Sequence, residues 1–204
     1  HELRTPLNSV IGFSELMSDP NFGELSTRQR EFLSDIKDSG EHLLSLINDI
    51  LDLSKIEAGK LEVHREEADV VELVRDSVTM LAPQAGKKRL HMETRCDVPG
   101  PAHVDPRLVR QVLVNLLSNA VKFTPENGRV DAAAAFEGDD LVLTVGDTGI
   151  GIPEDDQEKI FLEFYQVDGS YARKYEGTGL GLALVRRMMD LHNGSVSVSS
   201  RPGK

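Results

Sequence analysis

The sequence is short of the residues that staple or anchor small proteins. It holds one cysteine, Cys96, and no tryptophan in 204 residues. A lone cysteine closes no internal disulfide and no Cys/His cluster has zinc spacing, which excludes a disulfide-framed secreted scaffold and a zinc module. A reducing, cytoplasmic setting is expected. No apolar stretch reaches about 18 residues and no signal-peptide pattern is visible, so no direct membrane contact is expected of this stretch of chain. It opens on His1 rather than Met and reads as a fragment, with room for a membrane anchor outside it. Positive charge is also scarce, with 23 Lys+Arg against 34 Asp+Glu and a net charge of −11. Such a surface repels nucleic acid and anionic lipid, so nucleic acid is not an expected partner. Charged residues make up 28%, close to the globular norm, and wholesale disorder is excluded.

Apolar residues at Leu3, Leu7, Val10, Ile11, Leu16 and Met17 recur at helical spacing until Ser18 to Gly23 breaks the pattern. A second helix is expected from about Ser26 to Ala58-Gly59, carrying Leu33, Ile36, Leu43, Ile47 and Ile50 with Leu44 and Leu51 alongside. A helix of roughly 30 residues is about 45 Å long, more than the first helix can cover. A helical hairpin with one wide apolar face wants a partner, and two hairpins make a four-helix bundle; packing on the rest of its own chain is the alternative.

Beyond Gly59-Lys60 the texture changes. Leu61 to His64 alternates, Asp69 to Leu81 reads as a helix, and Leu90 to Thr94 alternates again. Asp105 precedes a helix through Val121. Strands are expected at Arg129 to Phe136, Asp140 to Gly146 and Ser195 to Ser199, with a helix from about Gly179 to His192 before the last. Mixed strands and helices with adjacent hairpin strands imply an α/β sandwich. The expected fold class is thus α+β in two domains, a helical hairpin at 1–60 and a sandwich at 61–204.

Three Gly-bearing segments fall in the second half: Asp147 to Pro153, Gly177 to Leu182, and Asn193-Gly194. Gly177-Thr178-Gly179-Leu180-Gly181 runs straight into a helix, whose free N–H groups and dipole suit a phosphate. Its spacing is not the Rossmann G-x-G-x-x-G, because position 182 is Leu, and no P-loop motif occurs. Ordinary turn glycines would explain each cluster taken singly. Asn115, Asn119 and Lys122 share one face of the preceding helix, and two carboxamides and an ammonium are costly to bury without partners. Magnesium with a nucleotide would supply those partners, since a hard cation accepts carboxamide oxygens; solvent would also do so.

Taken together these segments resemble the catalytic core of the two-component sensor histidine kinases. His1-Glu-Leu-Arg-Thr-Pro-Leu7 is similar to that family's phosphoacceptor box, and Asn115 to Phe123 to its N box. Asp147 to Pro153 matches the first Gly box, Phe161 to Phe164 the F box, and Gly177 to Leu182 the second Gly box, all in the family's order. The resemblance implies a hairpin that homodimerises as a four-helix bundle, then an ATP-binding fold of the gyrase B/histidine kinase type. It implies that His1 takes the γ-phosphoryl group of ATP and passes it to an aspartate of a response regulator receiver domain. Glu2 would orient or deprotonate the imidazole, and Thr5, one turn along, would position water for dephosphorylating the receiver. Pro6 would bend the helix just past the acceptor.

By the same resemblance Asn119 and Asn115 lie at Mg²⁺, Lys122 meets phosphate and Phe123 lies against the adenine. Asp147 would accept the adenine amino group, with Gly149 and Gly151 passing close to the base. Gly177, Thr178, Gly179, Leu180 and Gly181 would line the phosphates. Phe161 and Phe164 would anchor a lid between the Gly boxes, from which Arg173 and Lys174 reach phosphate. The family normally continues past Lys204 into one more strand, so the last strand is expected to be cut short. Two rivals are an ATP-driven clamp like gyrase B or MutL, and a dimeric scaffold without activity. Clamps typically carry Glu at the position of Asn115 as the base for water, a role Asn cannot fill, and no motif residue is missing that would indicate a scaffold.

Overall fold

Helical periodicity governs the start of the chain, and two long helices follow from it. The structure is a computed structural model that describes residues 3–98, 100–167 and 177–203, and the chain separates into two compact units, His1–Ser54 and Lys55–Lys204. Helix α1 spans Arg4–Ser18 and α2 spans Thr27–Glu57. Between them the Asp19 side chain accepts from Asn21 N and starts a 3₁₀ turn at Pro20–Phe22. Helix α2 opens with a reciprocal cap, Gln29 N donating to Ser26 Oγ and Ser26 N to Gln29 Oε1. It closes where Gly59, at φ 63°, lets Gly59 N reach Ile56 O and Lys60 N reach Lys55 O.

The two helices run antiparallel as a hairpin. Arg4 Nη2 donates to Asn48 Oδ1 at 2.6 Å, and Lys37 Nζ meets Glu15 at 2.7 Å. Between these points a Cβ added to Gly40 would lie 2.8 Å from Ile11 Cγ1, so the backbones approach closely there. Leu33 and Leu53 are buried, while Val10, Phe13, Ile36, Leu43 and Ile50 stay exposed. One hairpin cannot cover its own apolar face, as the pattern implied. Pro6 is the third residue of α1, in the turn whose N–H groups need no helical acceptor, and the Glu2 carbonyl it was expected to crowd lies outside the described residues.

The second unit is a two-layer α/β sandwich. Its elements are β1 (Glu66–Ala68), α3 (Val70–Lys87), β2 (His91–Asp97), β3 (Ala102–Val104), α4 (Pro106–Phe123), β4 (Arg129–Glu137), β5 (Asp140–Asp147) and α5 (Gly181–Leu191). Strands β2, β4 and β5 form one sheet in that order, β2 parallel and β5 antiparallel to β4. The β4–β5 hairpin turns at Gly138, whose φ of 64° suits a tight two-residue connection. Strand β1 pairs with β3 as a separate antiparallel ribbon. Alternation on β4 sends Val130, Ala132 and Ala134 against Val70 and Val74 of α3 and Leu113 and Leu117 of α4. Leu180, Leu184, Val185 and Met188 bury the inner side of α5.

Three local expectations are corrected. Helix α3 does not stop at Leu81 but runs through Pro83 to Lys87, because Leu81 and Ala85 are both buried in the core and hold the helix across the lost hydrogen bond. Leu61 to His64 forms no ladder; the short strand lies later, at β1, and the His64 amide goes instead to Asp105 Oδ2 at 2.9 Å. Ser195 to Ser199 is not a strand either. Val196, Val198 and Ser200 keep the alternating burial of extended chain, but the segment is tied by side-chain bonds, Ile152 N to Ser200 Oγ and Gln157 Nε2 to Ser200 O.

Asp105 joins several of these pieces. Its side chain, 0% exposed, accepts from Arg107 N and Leu108 N as the cap of α4, and from His64 N and Arg107 Nη2. Its own N–H donates to His192 Nε2 beyond the end of α5, so His192 Nδ1 is the nitrogen that donates to Met188 O. Burial alone would raise its pKa, but the bonds from His64, Arg107 and Leu108 and the Arg107 charge outweigh it, and the carboxyl sits below its ordinary 3.8. A depressed carboxylate contributes stability above its unfolded value of about 3.9 and loses it as pH falls through the folded value. Asp105→Ala is expected to cost about 2–3 kcal/mol at pH 7 by urea unfolding. The deficit should narrow as pH falls below about 4, and an undiminished deficit there would contradict the assignment.

Candidate functional site

One side of α4 is buried against the sheet, and the residues left on the other side face the loops that follow the sheet. Asn115, Asn119 and Lys122 lie there half-buried, at spacings of four and three. Asn115 Nδ2 makes a long contact of 3.5 Å with Gly181 O, which ties the middle of α4 to the start of α5. The Asn119 side chain, on a half-buried residue, has no hydrogen-bond partner among the described residues. Its carboxamide is thus available to a ligand. Lys122 Nζ stands 5.1 Å from the centroid of the Phe123 ring, and a Cβ on Gly177 would come 2.8 Å from that nitrogen. The N box and the second Gly box are therefore neighbours in space.

The first Gly box packs against the end of the same helix. Asp147 ends β5, and its Oδ1 accepts from Gly149 N at 2.7 Å. The residue is exposed at its rim, yet desolvation by the surrounding chain pushes its carboxyl above the usual 3.8; the Gly149 N–H pulls the other way and the nearby Asp131 charge adds to the rise. Gly149 is buried where a Cβ would lie 2.5 Å from Asp147 Oδ1 and 2.9 Å from Phe123 O. No side chain fits between them. Gly151, at φ 72°, lies against the Arg201 carbonyl and Pro202.

The second Gly box ends at the start of α5. Thr178 Oγ1 accepts from Leu180 N at 3.0 Å, and Gln166 Nε2 donates to Gly177 O at 2.7 Å. Gly179, at φ 70°, accepts from Phe164 N through its carbonyl and leaves no room for a Cβ against the Phe164 backbone. Leu180 is buried and precedes α5. At Gly181 an added Cβ would meet nothing within 4 Å among the described residues. The first N–H groups of this eleven-residue helix stand at the positive end of its dipole, a position that suits an anion.

Asn115, Asn119, Lys122, Phe123, Asp147, Gly149 and Gly177 to Gly181 thus gather in one region of the second unit, while Gly151 lies at its edge on the carboxyl-terminal segment. Thr5 is in the first turn of α1. His1, Glu2, Arg173 and Lys174 lie outside the described residues. Phe161 is half-buried under Arg186, 5.8 Å from its ring, but the Phe164 ring is 65% exposed, so Phe164 holds the Gly box by its backbone and not by a buried ring. Sequence reasoning missed Lys88, whose Nζ donates to the carbonyls of Val121, Lys122 and Thr124 at the end of α4. A lysine in a Lys-Lys-Arg run reads as solvated charge, and nothing local signals a reach to another helix. Among the described residues no group of three His, Cys, Asp or Glu could hold a metal. No helix there is long and apolar enough to cross a membrane.

Gly149→Ala is expected to destabilise the fold by about 1–3 kcal/mol in thermal unfolding, since either Asp147 or the Phe123 carbonyl must give way. Gly181→Ala, into open space and a helix, should leave stability unchanged or slightly raised. The reverse order of effects would refute the geometry.

Comparison with known proteins agrees with these features. Residues 1–59 match the His Kinase A (phospho-acceptor) domain, and residues 104–204 match the histidine kinase-, DNA gyrase B- and HSP90-like ATPase domain. An uncharacterised sensor-like histidine kinase of Rhizobium meliloti is 46% identical over the whole chain, which spans 39% of that protein. The circadian input-output histidine kinase CikA of Synechococcus elongatus is 47% identical over the whole chain, which spans 28% of it. Full-length ShkA, crystallised with AMPPNP, aligns over the whole chain and 42% of its own, at 36% identity and a TM-score of 0.79. With a phospho-acceptor hairpin and an ATPase-type sandwich in family order, the chain belongs to the two-component sensor histidine kinases.

Proposed function

We propose that this chain is a kinase core that moves the γ-phosphoryl group of ATP to His1 and then to an aspartate of a response regulator receiver domain. The observation that carries this reading is the convergence of the α4 polar face, the Asp147–Gly149 turn and the start of α5. Asp147 accepts the adenine amino group, and Gly149 lets the base lie close to the backbone beside Phe123. Lys122 and the N–H groups from Gly177 to Gly181 face the phosphates, where positioning and charge do most of the catalytic work in phosphoryl transfer. Arg173 and Lys174 add lid cations.

The donor set also suits magnesium. Asn119, with Asn115 beside it, would hold the ion through carboxamide oxygen, leaving the remaining positions to water and phosphate. When bound, Mg²⁺ supplies charge neutralisation for the transferring phosphoryl group.

On the hairpin, His1 is the nucleophile, and Glu2 orients or deprotonates the ring. Thr5 positions water for dephosphorylating the receiver. The apolar face with Val10, Ile36, Leu43 and Ile50 exposed, and a groove of about 380 Å³ along it, supports a homodimer in which two hairpins complete a four-helix bundle. The work is assigned to the cytoplasm, with any membrane anchor lying elsewhere in the parent protein.

Calorimetry with ATP and its non-hydrolysable analogue tests the site directly. The unaltered chain should bind in the presence of Mg²⁺. Asn119→Ala should lose at least about tenfold in affinity, or about 1.4 kcal/mol, while melting at the same temperature. Undiminished binding would remove Asn119 from the site.

A further inference from the structure

Lys88 comes from one helix and finishes another. Its backbone is fixed at the end of α3, where Arg89 adopts φ 54° and Leu90 N reaches Ala85 O, and its carbonyl accepts from Asn127 N at 3.0 Å. From that base its Nζ donates to Lys122 O at 2.6 Å, Val121 O at 2.9 Å and Thr124 O at 3.1 Å. The last carbonyls of a helix lack N–H donors within it, and a cation there also meets the negative end of the dipole. The three carbonyls bracket Phe123. The carbonyl of Phe123 itself lies against Gly149, close enough that an added Cβ would stand 2.9 Å from its oxygen and 3.2 Å from its carbon. The next residue, Thr124, is fully buried and donates its Oγ1 proton to Ala120 O at 2.6 Å. The Phe123 peptide therefore has a fixed height against the turn that carries Asp147.

We propose that Lys88 is a positioning residue for the nucleotide: by gathering the carbonyls of Val121, Lys122 and Thr124 it sets the Phe123 peptide against Gly149, and with it the base-binding end of the site. Lys88 acts through Phe123 and Gly149 and does not touch the ligand. The inference rests on the adenine reading of this site. It separates Lys88 from a residue that merely stabilises a helix end, because the base is held alike in ADP and ATP whatever the phosphate count.

The test compares ADP and ATP affinities of the unaltered chain, Lys88→Met and Lys88→Arg, well below every melting transition. Lys88→Met should weaken both ligands by the same factor, about tenfold. Lys88→Arg should restore both to within about twofold, since a groove of about 320 Å³ beside Lys88 has room for the longer side chain and the guanidinium can still donate to carbonyls. A lower melting temperature with unchanged affinities would overturn the proposal, as would a loss confined to ATP, which would mark a charge effect on the terminal phosphate. Failure of the unaltered chain to bind ADP would refute the adenine reading itself and is distinguishable from either. Should Lys88→Met not fold, the Lys88 ammonium resonance of the unaltered chain replaces it. That resonance should shift along the ADP binding isotherm, and a resonance indifferent to saturating ADP would overturn the proposal.

Discussion

The second unit depends on the burial of one side of α4. Leu113 and Leu117 have no exposed surface, and they hold the helix between the sheet, α3 and α5. Because a helix repeats every 3.6 residues, that burial also decides which side chains remain on the other side, and they are Asn115, Asn119 and Lys122. The polar face proposed to serve the ligand is thus a consequence of the apolar one. Both ends of α4 are then fixed by charged side chains, one its own cap and one from α3's end. Asp105 binds the amino end to the segment at His64 and to His192, and Lys88 gathers the carbonyls at the other end.

A rigid helix alone makes no site, and the glycines bring the rest of the chain to it. Gly149 lets the turn after β5 pass between the Asp147 carboxylate and the Phe123 carbonyl. Gly177 does the corresponding work before α5, where an added Cβ would come 2.8 Å from Lys122 Nζ. The Asp147 carboxyl is raised by desolvation and by the Asp131 charge, against the pull of the Gly149 N–H.

Much of this was legible in the sequence, for reasons that are local. The periodicity of Leu33 to Ile50 gave α2 its length, Asp105 marked the start of α4, and the alternating runs Arg129 to Phe136 and Asp140 to Gly146 marked β4 and β5. What was not legible is what long-range packing decides. The helix expected to end at Leu81 runs on through Pro83, because Leu81 and Ala85 are buried on either side of it. Ser195 to Ser199 alternates like a strand, yet alternation specifies only an extended chain with two faces, and the pairing that makes a strand depends on an edge elsewhere. Lys88 and His192 have partners 33 and 87 residues away in the sequence, a separation at which residue pattern carries no signal.

The central claim, that the site on α4 serves phosphorylation of the histidine on the hairpin, is tested most directly by labelling. Radiolabelled ATP with Mg²⁺ is given to the parent protein and to its His1→Gln variant, and the label is challenged with acid and with base. Label that requires His1, is lost in acid and survives base is the predicted result. Steady ATP hydrolysis with no stable label, unchanged in His1→Gln, would contradict it and favour a nucleotide-driven clamp.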